Sequence, residues 1–504
     1  NQDIEQKDYA GTIIDIDYKK KEVLLKRGTS QGILPKILSI GPNKPTPNTK
    51  LISNTYKFID TLLKNEKKYE ALNDFLEKKH PNIKGIKTGE KIIKSNEFNK
   101  EIPSIISNLN NSYIYIQGPP GTGKTFQASN AIIELLKQNK KIAITGLSHK
   151  VIHNLLQRVE DMAAEKQFKF NGFKKGNLED DDTIFKGENI KTYEKDPPFM
   201  DALKEKNVGN IFAGTKYHLA NSYYDEKIDY LFIDEAGQLS LADLISIGNI
   251  AKNIVLIGDQ NQLGQPIRGT HPNNSGQSIL EYLLEGKDTI PEDKGIFLNK
   301  TYRLNSKINN FISSNFYEER LICDDRTDKR IIKFNNKSII KKDGIHYIEM
   351  KHKNNVQTSI EEFQVVKSLM KQLIGVEFDD NGKKRKLTAN DFLIISPYNT
   401  QVNLLISKLE EEKVKNPRVG TIDKFQGQEA PIAIISMTSS DSDSLPRNKE
   451  FFFNRNRLNV AISRAQVASI ILFNPNLLDS SPKNLEQIKL MNNFFKFLNY
   501  KVQH

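Results

Sequence analysis

Short apolar runs alternate with longer stretches of helical spacing along most of the chain. Lys141–Thr145, Asn210–Ala213, Tyr230–Ile233 and Asn253–Ile257 are brief runs dominated by Ile, Val, Phe, Tyr and Ala. That is the pattern of strands buried on both faces, and the segments between them carry helical periodicity. The alternation predicts a parallel α/β sheet. A second alternating half follows. Ile345–Met350, Asp391–Ile395, Val419–Thr421, Ala430–Met437 and Val467–Phe473 read as strands, and Glu361–Ile374 and Gln401–Glu412 as helices.

The opening is different. Tyr9–Ile16 and Glu22–Arg27 flank the basic turn Tyr18-Lys19-Lys20-Lys21 and predict a hairpin. Pro35–Pro47 is rich in Pro, Gly and Asn and reads as a linker. Leu51–Lys79 has helical spacing, and Pro81–Gly89 reads as a loop. Three further segments read as polar connections. Phe168–Asp196, with its acidic run Glu179-Asp180-Asp181-Asp182, is expected to be a solvated insertion. Gly375–Lys386 is expected to be a hairpin loop, and Ser439–Asn448 a mobile Ser/Asp/Pro loop. The expected organisation is α/β. A β-rich section at 1–50 and a helical stalk at 51–100 precede two halves at 101–299 and 300–504.

Length, 504 residues, fits about three or four such units. Lys and Arg outnumber Asp and Glu by 74 to 62, giving a net charge of +12. Such an excess suits a polyanionic partner and equally suits a lysine-rich solvated surface, so charge alone does not decide. The single cysteine, Cys323, excludes a disulfide framework and a cysteine zinc site, which fits a reducing compartment; a cytoplasmic, prokaryotic-type location is the expectation. Ala430–Met437 and Val467–Phe473 are far too short to cross a bilayer, so no membrane partner is expected. The chain opens on Asn1 rather than Met and is expected to be a piece of a longer protein.

Chemistry enters at Gly118-Pro119-Pro120-Gly121-Thr122-Gly123-Lys124-Thr125, between the apolar run Tyr113–Ile116 and a helix-like segment from Phe126. Strand, glycine-rich turn and helix is the context of a phosphate-binding loop. Backbone N–H groups would close on phosphate oxygens, with Lys124 on the β/γ-phosphates and Thr125 on Mg²⁺. ATP or GTP is therefore the expected nucleotide, with Mg²⁺. At the end of a second strand stand Asp234 and Glu235, 234 − 124 = 110 residues after the lysine. Asp234 suits a Mg²⁺ ligand and Glu235 a general base for the attacking water. A third strand ends in Gly258-Asp259-Gln260-Asn261-Gln262-Leu263-Gly264, where Gln262 could sense the γ-phosphate.

These blocks, with others after them, resemble the ordered motifs of superfamily 1 helicases, in the 5′-to-3′ branch typified by the nonsense-mediated-decay helicase. The remaining blocks are Thr145–Lys150, Ala213–Thr215, Leu298–Leu304, Ser396–Gln401, Gly420–Glu429 and Arg457–Ala465. The resemblance implies two tandem RecA-like domains with a small barrel and stalk in front. It implies arginine fingers at Arg303 and Arg464, a Tyr302 stack on adenine, and nucleotide contacts from Gly427 and Glu429, the latter to ribose. It further implies backbone contacts to single-stranded nucleic acid from Ser148, Thr215, Pro397, Tyr398 and Thr421. Glu101 aligns where the family often carries an adenine-reading glutamine. The segments Ala10–Asp17 and Val23–Gly28 are similar to the stretch before the helicase core in bacterial RecB-like nuclease–helicase fusions, which would place a nuclease domain beside this chain.

The resemblance implies an ATP-driven 5′-to-3′ translocase and helicase on single-stranded DNA. An RNA helicase is the alternative within the branch, since no residue here reads a 2′-hydroxyl. A P-loop switch without unwinding and a binding module with a dead ATP site are the alternatives outside it. The intact Lys124, Asp234, Glu235, Gln262, Arg303 and Arg464 weigh against the last.

Overall fold

The computed structural model describes residues 11–17, 22–28, 34, 46–95, 97–265, 275–336, 338–441, 453–479 and 484–500. The turn expected at Tyr18–Lys21, most of the Pro35–Pro47 linker and most of the Ser439–Asn448 loop lie outside them. Two compact units divide the chain, Asn1–Lys50 and Leu51–His504. In the first, Thr12–Asp17 pairs antiparallel with Glu22–Lys26, with an irregularity in register between Ile13 and Asp15. This is the expected hairpin; the described residues of that unit form no closed barrel.

The larger unit holds two parallel sheets. The first has eight strands, in the order Gly295–Phe297, Tyr113–Gln117, Ala251–Gly258, Ile228–Ile233, Ile142–Thr145, Asn210–Ala213, Asn171–Lys175 and Ile190–Tyr193. All its neighbouring pairs are parallel. The second has five, in the order Gly344–Glu349, Ala465–Phe473, Ala430–Ser436, Phe392–Ile395 and Val419–Gly420, again all parallel. Parallel pairing forces a crossover between strands, and helices fill the crossovers. The result is a pair of tandem RecA-like lobes. The expected strands appear to within about two residues at their ends, the ordinary uncertainty of element boundaries.

One expectation is overturned. Residues 168–196 are not a loop throughout, because Asn171–Lys175 and Ile190–Tyr193 extend the first sheet. Glu160, on the helix His149–Glu165, explains the docking. Its carboxylate accepts from the Ile190 and Asn189 backbone N–H groups at 2.8 and 3.0 Å and from the Asn189 side chain at 2.7 Å. The acidic run Glu179–Asp182 is exposed, as expected. The polar hairpin expected within Gly375–Lys386 is present as Glu377–Asp380 against Lys383–Lys386.

A continuous apolar cluster joins the lobes. It runs from Leu256 and Leu280 of the first through Leu304, Ile308 and Phe311 to Ile395 and Ile471 of the second. Burying each such side chain contributes about 1.5–3 kcal/mol, so the lobes share a substantial core. Two further clusters fill the outer faces of the two sheets. Among the described residues no helix is long and apolar enough to cross a membrane.

Candidate nucleotide site between the lobes

The phosphate loop follows from its strand. Tyr113–Gln117 is wholly buried between two neighbours, and Gly118 N–H bonds Gly258 O at 3.0 Å, so the chain must turn at a fixed point. Pro119 and Pro120 are buried, and Thr122 Oγ1 donates to Pro119 O at 2.8 Å to close the turn. Gly121 has φ +74°, and a Cβ there would lie 2.3 Å from Arg303 Cβ, so this position tolerates only glycine. Gly123 then caps the helix Lys124–Lys137. Lys124 folds back over Gly118, its Nζ donating to Gly118 O at 2.6 Å. Thr125 stands in the first turn of that helix. A ring of backbone donors at a helix N-terminus with one lysine across it fits a polyphosphate.

Asp234 and Glu235 stand at the end of the adjacent-but-one strand, Ile228–Ile233. Asp234 is buried. Burial first, then the Glu235 carboxylate, pushes its carboxyl up to about 7, and Lys124 opposes the rise. A buried carboxylate with a second one beside it favours a cation. Glu235 adopts φ +52°, rare for a residue with a side chain, and its N–H bonds Asp234 Oδ1 at 2.9 Å. That strain commonly costs about 1–3 kcal/mol and tends to persist where function holds it.

The second lobe reaches this loop directly. Tyr302 N–H bonds Gly121 O at 2.9 Å, and Thr301 Oγ1 donates to Pro120 O at 2.8 Å. These bonds bring Arg303 onto the glycine turn. Arg303 Nε donates to Glu429 Oε2 at 2.5 Å, and Nη1 to Ser463 O at 3.3 Å. Arg464 is only 2% exposed. Its Nε bonds Val460 O at 3.1 Å and its Nη1 bonds Gln428 O at 3.0 Å. Gly427, at φ +78°, makes the left-handed turn that presents the Gln428 carbonyl. Burial, then the like charge of Arg303, pulls the Arg464 guanidinium down to about 9, while Glu235 and Glu429 oppose that fall. Two cations and two carboxylates from opposite lobes thus share one electrostatic neighbourhood.

Some site expectations change. Glu429 does not present a free carboxylate to a sugar: its second oxygen accepts from Gln466 Nε2 at 2.7 Å. Burial raises its pKa, but Arg303 and Gln466 outweigh that and hold it low. Gln262 is 5% exposed, and its amide donates to Asp259 Oδ2 at 2.7 Å. Glu101 is engaged locally, accepting from the Lys94 and Ser95 N–H groups at 3.0 and 2.7 Å. A cavity of about 240 Å³ lies beside the loop instead, lined by Phe98, Asn99, Thr122, Gln127, Leu298 and Tyr302. Gln127 Nε2 bonds Asn99 Oδ1 at 2.8 Å. Neither residue was expected from the sequence; Gln127, three residues after Lys124, is the signal that was there to find. Tyr302 is 45% exposed and available to stack.

The expected nucleic-acid residues follow the carboxyl ends of parallel strands. Ser148 and Thr215 come after the paired strands Ile142–Thr145 and Asn210–Ala213, and each caps a helix. Pro397 and Thr421 come after the paired strands Phe392–Ile395 and Val419–Gly420. Both are partly exposed and Ser148 is exposed. Tyr398 is the exception. Its ring is 5% exposed and packs in the joint core, with Ser439 Oγ donating to its hydroxyl at 3.5 Å.

Two family models match the chain, each described as an AAA domain, over residues 102–266 and 275–476. The chain is similar to the DNA replication ATP-dependent helicase/nuclease dna2 of Schizosaccharomyces pombe, at 29% identity over 75% of this chain and 28% of that protein. It is also similar to the DNA polymerase alpha-associated DNA helicase A of the same organism, at 27% identity over 69% of this chain and 59% of that one. The chain thus spans well under two thirds of either relative. Among solved structures, an arterivirus nonstructural protein 10 helicase with DNA matches at 14% identity and a TM-score of 0.38, covering 72% of this chain and 61% of that one. At that TM-score the likeness decides nothing.

Proposed function

We propose that this chain, which belongs to the superfamily 1 helicases, is an ATP-driven motor that moves 5′ to 3′ along single-stranded DNA without sequence preference. The observation that carries the reading is the contact between Gly121 and Arg303. It closes the phosphate loop of one lobe with an arginine of the other. A nucleotide held there is bound by both lobes, so its hydrolysis would change their relation and move whatever strand both lobes grip. Lys124 and the loop backbone bind the phosphates, Glu235 takes a proton from water, and Arg303 and Arg464 stabilise the charge that develops on the γ-phosphoryl group.

Among the described residues no group of three or more His, Cys, Asp or Glu side chains forms a metal site. From their places in the loop helix and at the end of the Ile228–Ile233 strand, Thr125 and Asp234 would hold Mg²⁺ together with the phosphates. When bound it would supply positive charge against the phosphates. Because the Asp234 carboxyl is raised to about 7, a proton competes with the cation. The Mg²⁺ concentration needed for half-maximal hydrolysis is expected to rise as pH falls through that value. A titration of Mg²⁺ at several pH values reads this; a requirement that is constant or falls would remove Asp234 from the cation site.

DNA is favoured over RNA because both relatives are named for DNA work. The helicase/nuclease name of the first supports a nuclease domain as a working neighbour. Ser148, Thr215, Pro397 and Thr421 would meet phosphates and sugars, which position a strand and carry no sequence information. Affinity should then fall steeply with salt. A flat plot of log affinity against log salt would count against a phosphate-tracking groove. Polarity rests on the family branch and on the second lobe, where Arg303 to Gly420 spans 420 − 303 = 117 residues, too few for a large inserted domain beside the core elements present. Duplexes with a 5′ or 3′ single-stranded tail test it. Unwinding of the 5′-tailed duplex alone is expected; unwinding of the 3′-tailed one alone would overturn the assignment.

A further inference from the structure

Tyr317 ends the helix Ser306–Phe316, which packs on the strands of the second lobe. Its hydroxyl is nevertheless bonded into the first. It donates to Asp259 Oδ2 at 2.6 Å, in the loop after the Ala251–Gly258 strand. It accepts from Asn459 Nδ2 at 3.0 Å, on the helix Arg455–Ile462. All three groups are buried, Tyr317 and Asn459 fully. Asp259 Oδ2 also accepts from Gln262 Nε2, and Asp259 Oδ1 from Asn261 N–H at 3.2 Å. The chain of donors therefore has one direction: Asn459 to Tyr317, Tyr317 to Asp259, with Gln262 on the same carboxylate oxygen. A phenol can donate one proton, and here it goes to Asp259.

The same helix makes further contacts with the first lobe. Asn459 Nδ2 bonds Asn261 O at 2.7 Å, and Asn456 Nδ2 bonds Gln260 O at 2.8 Å. Arg455 makes a bidentate pair with Asp288 at 2.6 and 2.9 Å and lies over the Phe316 ring. Those contacts hold backbone or surface groups. Tyr317 alone among them reaches the carboxylate that orients Gln262.

We propose that the Tyr317 hydroxyl is a positioning group that ties Gln262, on the first lobe, to the helix that leads into Arg464, on the second. It fixes Asp259, which fixes the Gln262 amide, and because Tyr317 and Asp259 stand on different lobes it does so only while the lobes are together. Gln262 is thereby set for the γ-phosphate in step with the arrival of Arg464. This rests on the functional reading above.

The test is Tyr317→Phe in the full chain, which keeps the ring among Phe297 and Phe316 and deletes one oxygen. Turnover of ATP with saturating single-stranded DNA is expected to fall about tenfold, the effect of roughly one buried bond on a barrier. The KM for ATP should stay within about twofold, since uniform binding is untouched. Asn459→Leu should act through the same link, so the double variant should be no slower than the slower single one. Normal turnover in Tyr317→Phe, a loss seen in KM alone, or two losses that multiply would each overturn the proposal. Wild-type protein in the same assay separates the two levels. A wild type that never hydrolyses ATP would sink both the functional reading and this one, whereas an active wild type with an unaffected Tyr317→Phe would sink this one alone.

Discussion

Glu235→Gln is expected to bind ATP with near-normal affinity and to hydrolyse it about a hundred- to ten-thousandfold more slowly. The amide matches the carboxylate in shape but cannot accept a proton from water. Glu235 sits in a left-handed backbone conformation at the strand end, beside the buried Asp234. Lys124→Ala should fail earlier, at binding, because its amine spans the phosphate loop and rests on Gly118 O. Binding of a fluorescent ATP analogue and single-turnover hydrolysis separate the two variants. Wild-type turnover in Glu235→Gln would remove it as the base.

Arg464→Ala and Arg303→Ala should each lose about 3–4 kcal/mol of transition-state stabilisation, on the order of a hundred- to a thousandfold in turnover. Binding of single-stranded DNA without nucleotide should survive, since neither side chain belongs to the proposed strand-binding set. The two differ in what else they hold. Arg464 is enclosed and bonded to the carbonyls of Val460 and Gln428, so its removal deletes buried packing and two hydrogen bonds as well as a charge. Arg303 is paired with Glu429, whose carboxylate would be left beside Gln466 alone. Thermal unfolding of each variant therefore belongs beside its kinetics. Normal turnover in either variant would remove that arginine from the reacting phosphate.

Much of this was legible in the sequence because the physics there is local. A buried parallel strand must be apolar on both faces, and a phosphate loop must be glycine between strand and helix. Tyr113–Gln117, Gly118–Thr125 and Asp234-Glu235 satisfy those demands within a few residues. What was missed depends on distant partners. Asn171–Lys175 reads as polar because it carries two lysines, yet Lys174 is fully buried, its amine on His149 Nδ1 at 2.9 Å and on the Thr183 carbonyl at 3.3 Å. Only the fold supplies those acceptors. Glu429 and Tyr398 were given ligand-facing tasks from their motif positions, and tertiary packing gives them others. Tyr317 lies outside every motif quoted from the sequence, and its importance exists only once Asp259 and Asn459 are brought to it.

The central claim is that ATP hydrolysis here is coupled to a strand held by both lobes. The most direct measurement is the steady-state rate of ATP hydrolysis with no nucleic acid, with single-stranded DNA and with single-stranded RNA, in one buffer at low salt. A low basal rate that rises about tenfold or more with single-stranded DNA, and less with RNA, is the predicted result, the rise being what a strand that favours the closed pair of lobes would produce. A rate that is the same in all three conditions would contradict it.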